Sequence, residues 1–99
     1  MTIHRSALPG LDIPAITIGE LVFANVADAP EAVAMIDGGS GEVWSRKRLH
    51  DAVARLAGGL VADGMGPGDV VAVMAANSPH YTVAFHAIAR VGATVTTVN

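Results

Sequence analysis

Ninety-nine residues, just over half of them apolar, suffice for one domain with a buried core, so the chain reads as globular and not disordered. A formal net charge of −3, with Arg46-Lys47-Arg48 as the one basic cluster, excludes a nucleic-acid surface, which needs many grouped cations. With no cysteine there are no disulfides and no thiolate metal sites, and with no apolar run near the roughly 20 residues of a spanning helix and no signal-peptide core at the N-terminus, the expected location is the cytoplasm.

Residues 1–16 contain Pro9-Gly10 and Pro14, which break regular structure, and Leu8, Leu11, Ile13 and Ile16, which could pin an extended arm to a surface. The domain proper is expected over 17–99. Thr17 with Glu20 three residues on is a capping-box pattern, and Leu21, Val22 and Val26 approximate helical spacing, so a helix is predicted over 18–27, ended before Pro30. Residues 32–37 and 42–45 read as two short strands joined by Gly38-Gly39-Ser40-Gly41, a hairpin expected at a sheet edge. The glycines do not form a P-loop, because Glu42 and a strand follow where Gly-Lys-Ser/Thr and a helix are required.

A long helix is predicted over 45–63. Leu49, Val53, Leu56 and Leu60 give it an apolar stripe, and Asp51 with Arg55 one turn later gives an i,i+4 ion pair worth about 0.2–0.5 kcal/mol. Gly58-Gly59 costs roughly 1 kcal/mol per residue against alanine, which predicts a neighbour packed closely on the helix backbone. Gly64 ends the helix, and Gly66-Pro67-Gly68 turns the chain into 70–76, an unbroken apolar run expected as a central parallel strand buried on both faces. Ser78 and Pro79 then start a helix as cap and first residue, with Tyr81, Ala84, Phe85, Ala87 and Ile88 as its core stripe and Gly92 as its end. Thr94 to Val98 is strand-like because every side chain is β-branched. The predicted fold class is α/β: a βαβ core with parallel strands, an N-terminal helix and an edge hairpin, three helices in all, with a core of small side chains and modest stability.

The chemistry-bearing residues are sparse. The Gly64 to Gly68 run precedes a strand, whereas a dinucleotide fingerprint follows one. Asn77-Ser78-Pro79-His80 lies where ligands of open α/β sheets bind, at a strand's carboxyl end and a helix N-terminus, but its content favours a capping turn with His80 exposed. Asp69, Ser78 and His80 lack a nucleophile elbow, so no hydrolase triad is expected. His4, His50, His80 and His86 show no metal-ligand spacing; His86 is expected half-exposed on its helix and Trp44 at a core edge. No catalytic, cofactor-binding or metal-ligating residue is assigned.

Several stretches together carry a resemblance: Ala34-Met35-Ile36-Asp37 with Glu42-Val43-Trp44-Ser45, the spacing of Leu49, Val53, Leu56, Gly59 and Leu60, Gly64 through Val73, Asn77-Ser78-Pro79 with Tyr81, and Gly92 through Asn99. In this order they resemble the start of an adenylate-forming acyl-CoA synthetase, nearest to the 4-coumarate and fatty-acid CoA ligases. The resemblance implies a large N-terminal domain and a small mobile C-terminal one that use ATP and Mg²⁺ to convert a carboxylic acid to an acyl adenylate, then pass the acyl group to coenzyme A. It also implies that the phosphate loop, the adenine and ribose contacts and the adenylation lysine lie past Asn99, and no residue here matches them. The expectation is an N-terminal fragment of a ligase, inactive alone, with the missing portion possible on another chain. The alternative is a self-associating structural module, a homo-oligomer joined through exposed strand edges and apolar faces; a small anion binder using Ser78 is a third reading.

Overall fold

The computed structural model describes residues 1–99. In chain order it contains α1 (Ile18–Val22), β1 (Val33–Ile36), β2 (Val43–Ser45), α2 (Arg46–Ala62), β3 (Val70–Val73), α3 (Pro79–Arg90) and β4 (Thr94–Thr97). The architecture is α/β, with a βαβ unit, an N-terminal helix and a hairpin. β1 and β2 pair antiparallel with a bulge between Val33 and Met35, and they make a two-stranded sheet of their own instead of an edge on β3 and β4. The other sheet is the parallel pair β3–β4, in register from Val70 opposite Thr94 to Val73 opposite Thr97.

The core is the seam between α2 and α3, closed at one end by Trp44. Trp44, Leu49, Val53, Ala57, Val83 and Ala87 form it, with Phe23, Met35 and Leu60 packed around it. Only 8 of 99 residues are buried, so this seam is where packing energy is concentrated. Two of the six core residues are alanines, which let the helix backbones approach closely.

The Thr17 cap forms as predicted. Its hydroxyl accepts from the Glu20 N–H at 3.2 Å while the Glu20 carboxylate accepts from the Thr17 N–H at 2.7 Å, closing a capping box. The helix stops at Val22, five residues short of the predicted end, and turns carry the chain on through Val26 and Ala29. No α1 residue is buried, and without packing a short helix does not propagate. Residues 1–17 hold no helix or strand, and Leu8, Leu11 and Ile13 stand exposed, Leu11 at 90%, so they do not pin the arm.

α2 starts at its Ser45 cap, whose hydroxyl accepts from the Arg48 N–H at 3.1 Å. Three predicted details change. The buried stripe is Leu49, Val53 and Ala57, and Leu56 is 39% exposed, because the seam with α3 selects the small residue at the closest approach. Asp51 pairs with Lys47 one turn before it, not with Arg55. A Cβ added at Gly58 or Gly59 would meet nothing within 4 Å, so no neighbour packs on that backbone.

The turn before β3 is fixed by Asp69, whose carboxylate accepts from the Gly66 N–H at 2.8 Å and whose carbonyl accepts from the Thr94 N–H at 2.8 Å. β3 is parallel as expected, but it is not covered on both faces: Val71 and Val73 are half-buried while Val70 is 64% exposed. Ser78 occupies the N-cap of α3 with no side-chain cap bond; the Tyr81 N–H reaches its carbonyl at 3.0 Å instead. Pro79 is the first helical residue. The buried stripe is Pro79, Val83, Ala87 and Ile88, leaving the predicted Tyr81 and Phe85 only half-buried. Gly92 ends the element at φ 79°, and a Cβ there would lie 3.0 Å from the Pro67 ring.

Candidate functional site

Two concavities contain the polar residues that the sequence draws attention to. The first lies at the carboxyl end of β3, between the hairpin loop and the start of α3, lined by Met35, Ile36, Asp37, Gly38, Asn77, Ser78, Pro79 and Thr82. Asp37 organises the loop: its side chain accepts from the Gly39 N–H at 2.9 Å and its carbonyl from the Gly41 N–H at 2.8 Å. The Gly39 N–H, with the Ser40 hydroxyl, holds the Asp37 carboxyl below its ordinary range, so it stays anionic. The start of α3 favours an anion, but the facing carboxylate opposes one and no Lys or Arg lines the cleft. His80 is exposed, with its ring edge-on to Trp44 at 5.4 Å between centroids. Ser78 turns the chain into α3 through its carbonyl, which accepts from the Tyr81 N–H, and not through its hydroxyl.

Trp44 itself is structural. It is buried, its indole N–H donates to Glu42 at 3.2 Å, and the Arg48 guanidinium lies 3.9 Å from the ring centre. Arg48 also pairs with Glu42 at 2.7 Å, and these donors, Arg48 first, hold the Glu42 carboxyl below its usual value. Asp69 precedes β3 while Ser78 and His80 follow it, so the strand holds them at opposite ends and its carboxylate is occupied by Gly66. They make no triad.

The second concavity, about 300 Å³, sits between α1, α2 and α3. Thr17, Glu20 and Phe23 approach from the α1 side, His50 and Val53 from α2, and His86 and Arg90 from α3. Phe23 stands between two imidazoles, His50 at 5.4 Å and His86 at 5.5 Å, both edge-on. His86 is half-buried as expected, but its Nδ1 is sealed and has no hydrogen-bond partner. Burial pushes its pKa below the ordinary histidine value. The Glu20 pKa is lowered too, which for a carboxyl means it is kept anionic, chiefly by the Thr17 N–H and then by its hydroxyl. Sequence reasoning missed this grouping, since nothing local joins His50 to His86; only the phase of two helices across the seam does.

Neither concavity suits a magnesium nucleotide. No three His, Asp or Glu side chains converge where they could hold a cation, and no glycine-rich loop of backbone N–H groups faces either space with a lysine beside it. The residues present therefore do not fit ATP with Mg²⁺, nor the diphosphate of coenzyme A.

Comparison with known proteins gives a consistent result. The AMP-binding enzyme family model matches residues 22–99. The chain is 36% identical over 100 residues to 4-coumarate–CoA ligase 3 of Oryza sativa subsp. japonica, covering all of this chain and 18% of that protein. In fold it is similar to the Mycobacterium tuberculosis fatty acyl CoA synthetase, with a TM-score of 0.74 and 25% identity over 84% of this chain and 16% of the other. It is also similar to the N-terminal subdomain of Klebsiella oxytoca NpsA in complex with 3-hydroxybenzoyl-AMSN, at TM-score 0.77 and 23% identity over 84% of this chain and 20% of that one. The chain spans 18% of the length of the curated plant relatives it matches.

Proposed function

This chain belongs to the AMP-binding enzyme family, and we propose that it is the N-terminal portion of an ATP-dependent carboxylic acid–CoA ligase, supplying scaffold and none of the reacting groups. The observation that carries the reading is the collinear match of the whole chain to 18% of a 4-coumarate–CoA ligase. In this reading residues 1–16 are an arm and residues 17–99 open the AMP-binding domain. ATP, Mg²⁺ and coenzyme A are cofactors of the complete cytoplasmic protein, and the chain alone catalyses nothing. The lining of its two concavities supports that: one presents Asp37 to a helix start, and the other offers no cluster of groups that could hold a magnesium nucleotide. The test is to incubate the purified chain with ATP, Mg²⁺, coenzyme A and either 4-coumarate or a fatty acid. No thioester and no AMP above background is the expected result; ATP-dependent thioester formation overturns the reading.

The open sheet favours a second reading, a self-associating module. β3 and β4 bond only to each other, their outer edges offer unpaired N–H and C=O groups, and Val70 and Met74 stand exposed beside them. Light scattering over a range of concentrations tests it. A dimer or larger species supports the module, and a monomer at every concentration removes it.

A further inference from the structure

α1 touches α3 but buries none of its own residues, so Phe23, the residue that ends it and packs against the core, is its main apolar anchor. Phe23 is the middle of a chain of four rings. His50 of α2 meets one edge at 5.4 Å, His86 of α3 meets it at 5.5 Å, and Phe85 meets His86 at 5.3 Å, all near perpendicular. Although the His86 ring borders the cavity, its Nδ1 is sealed from solvent and finds no hydrogen-bond partner. A neutral imidazole tolerates that place. An imidazolium does not, because both of its N–H groups seek acceptors and its charge seeks solvent.

The charged groups that face His86 do little to stabilise a proton there. From α1, the Glu20 carboxylate is engaged by the Thr17 N–H at 2.7 Å and hydroxyl at 3.0 Å. From α2, the His50 ring lies across Phe23 with its Nδ1 3.5 Å from Asp51, whose carboxylate also pairs with Lys47. Arg90, one turn along α3, is a cation with no ion-pair partner. The β3 and β4 strands, Val70–Val73 and Thr94–Thr97, carry no titratable side chain.

We propose that His86 is a proton-operated latch on the N-terminal segment: neutral, it holds Phe23 and so keeps α1 on the α2–α3 pair, and protonated, it lets α1 and the residues before it go. The direction agrees with the effect of burial on this imidazole, whose pKa is lowered in the docked state. The released state binds the proton more readily. Docking is therefore fully stable above the free histidine range near about pH 6.5 and weakens as pH falls through and below it. The Glu20 capping box titrates in the carboxylate range, well below that window, so the two effects separate.

Proton NMR of the 99-residue chain tests the latch at about pH 7.5 and about pH 5.5. Cross-peaks from the Phe23 ring to His50 and His86 are expected at the higher pH and lost at the lower, with the Leu21 amide moving to a random-coil shift. The Val83 and Ala87 methyls of the core seam are expected to stay in place. In His86→Phe the Phe23–His50 cross-peak should persist at both pH values. Persistence of the wild-type cross-peaks at the lower pH overturns the proposal, as does a loss shared by the core methyls or retained in His86→Phe. Should that variant not fold, the ring shifts of His86 in the native chain decide: titration at the ordinary histidine midpoint, with α1 shifts unmoved, also overturns it.

Discussion

On one side of α3, Val83 and Ala87 press on Val53 and Ala57 of α2 with almost no surface left to water. In the β3–β4 sheet, valines of the same chemistry alternate between half-buried Val71 and Val73 and the well-exposed Val70. The two regions share composition and differ in supply. The helix seam finds its whole partner within these residues, whereas the sheet has α3 over one face and nothing over the other. An apolar strand thus states how much cover it can use, and the neighbours decide how much it gets. Stability should accordingly be held by the seam and be almost indifferent to the sheet's open face.

The sharpest way to break that contrast is Trp44→Ala. It removes the largest core side chain, its hydrogen bond to Glu42 and the platform under Arg48, and should cost about 3–5 kcal/mol in chemical denaturation. Val70→Thr on the open face should change stability by no more than about 0.5 kcal/mol in the same measurement. A result in which the sheet substitution costs as much as the tryptophan would mean that both regions are equally covered.

Glycines give a second, smaller contrast. Gly92→Ala meets both a positive φ and the Pro67 ring, so a loss of about 1–3 kcal/mol is expected. Gly59→Ala enters open space on α2 and should raise stability by up to about 1 kcal/mol. Opposite signs in thermal or denaturant melts check the pair.

Helix caps supply the next. Ser45→Ala should cost about 1 kcal/mol because its hydroxyl accepts the Arg48 N–H, while Ser78→Ala should cost only a few tenths, its hydroxyl having no such bond. The smallest effect is confined to α1 and is set by pH. Glu20 has a lowered folded pKa, so the capping box contributes above the unfolded carboxylate range and its contribution is lost as pH falls through the folded value. Glu20→Gln should abolish that acid-range loss of α1 signal in NMR, whereas Thr17→Ala, which keeps the backbone N–H, should only reduce it.

The element order, the capping box at Thr17, the hairpin around Gly38 to Gly41, the bounds of α2, the Pro79 start and the Gly92 stop were all legible in the sequence. Each depends on interactions within a few residues: a side chain reaching a nearby N–H, a ring fixing φ, a missing Cβ permitting a left-handed turn. The family resemblance was legible for the same reason, because it consists of local patterns in a fixed order. Tertiary structure alone decided that Ala57 and not Leu56 faces the seam, that Asp51 turns back to Lys47, that Val70 stays wet, and that His50, Phe23 and His86 meet. Those outcomes depend on the distance and phase between elements far apart in the chain. Periodicity marks a broad apolar face but not its centre, and only the partner helix fixes which residue of that face sits at the closest approach.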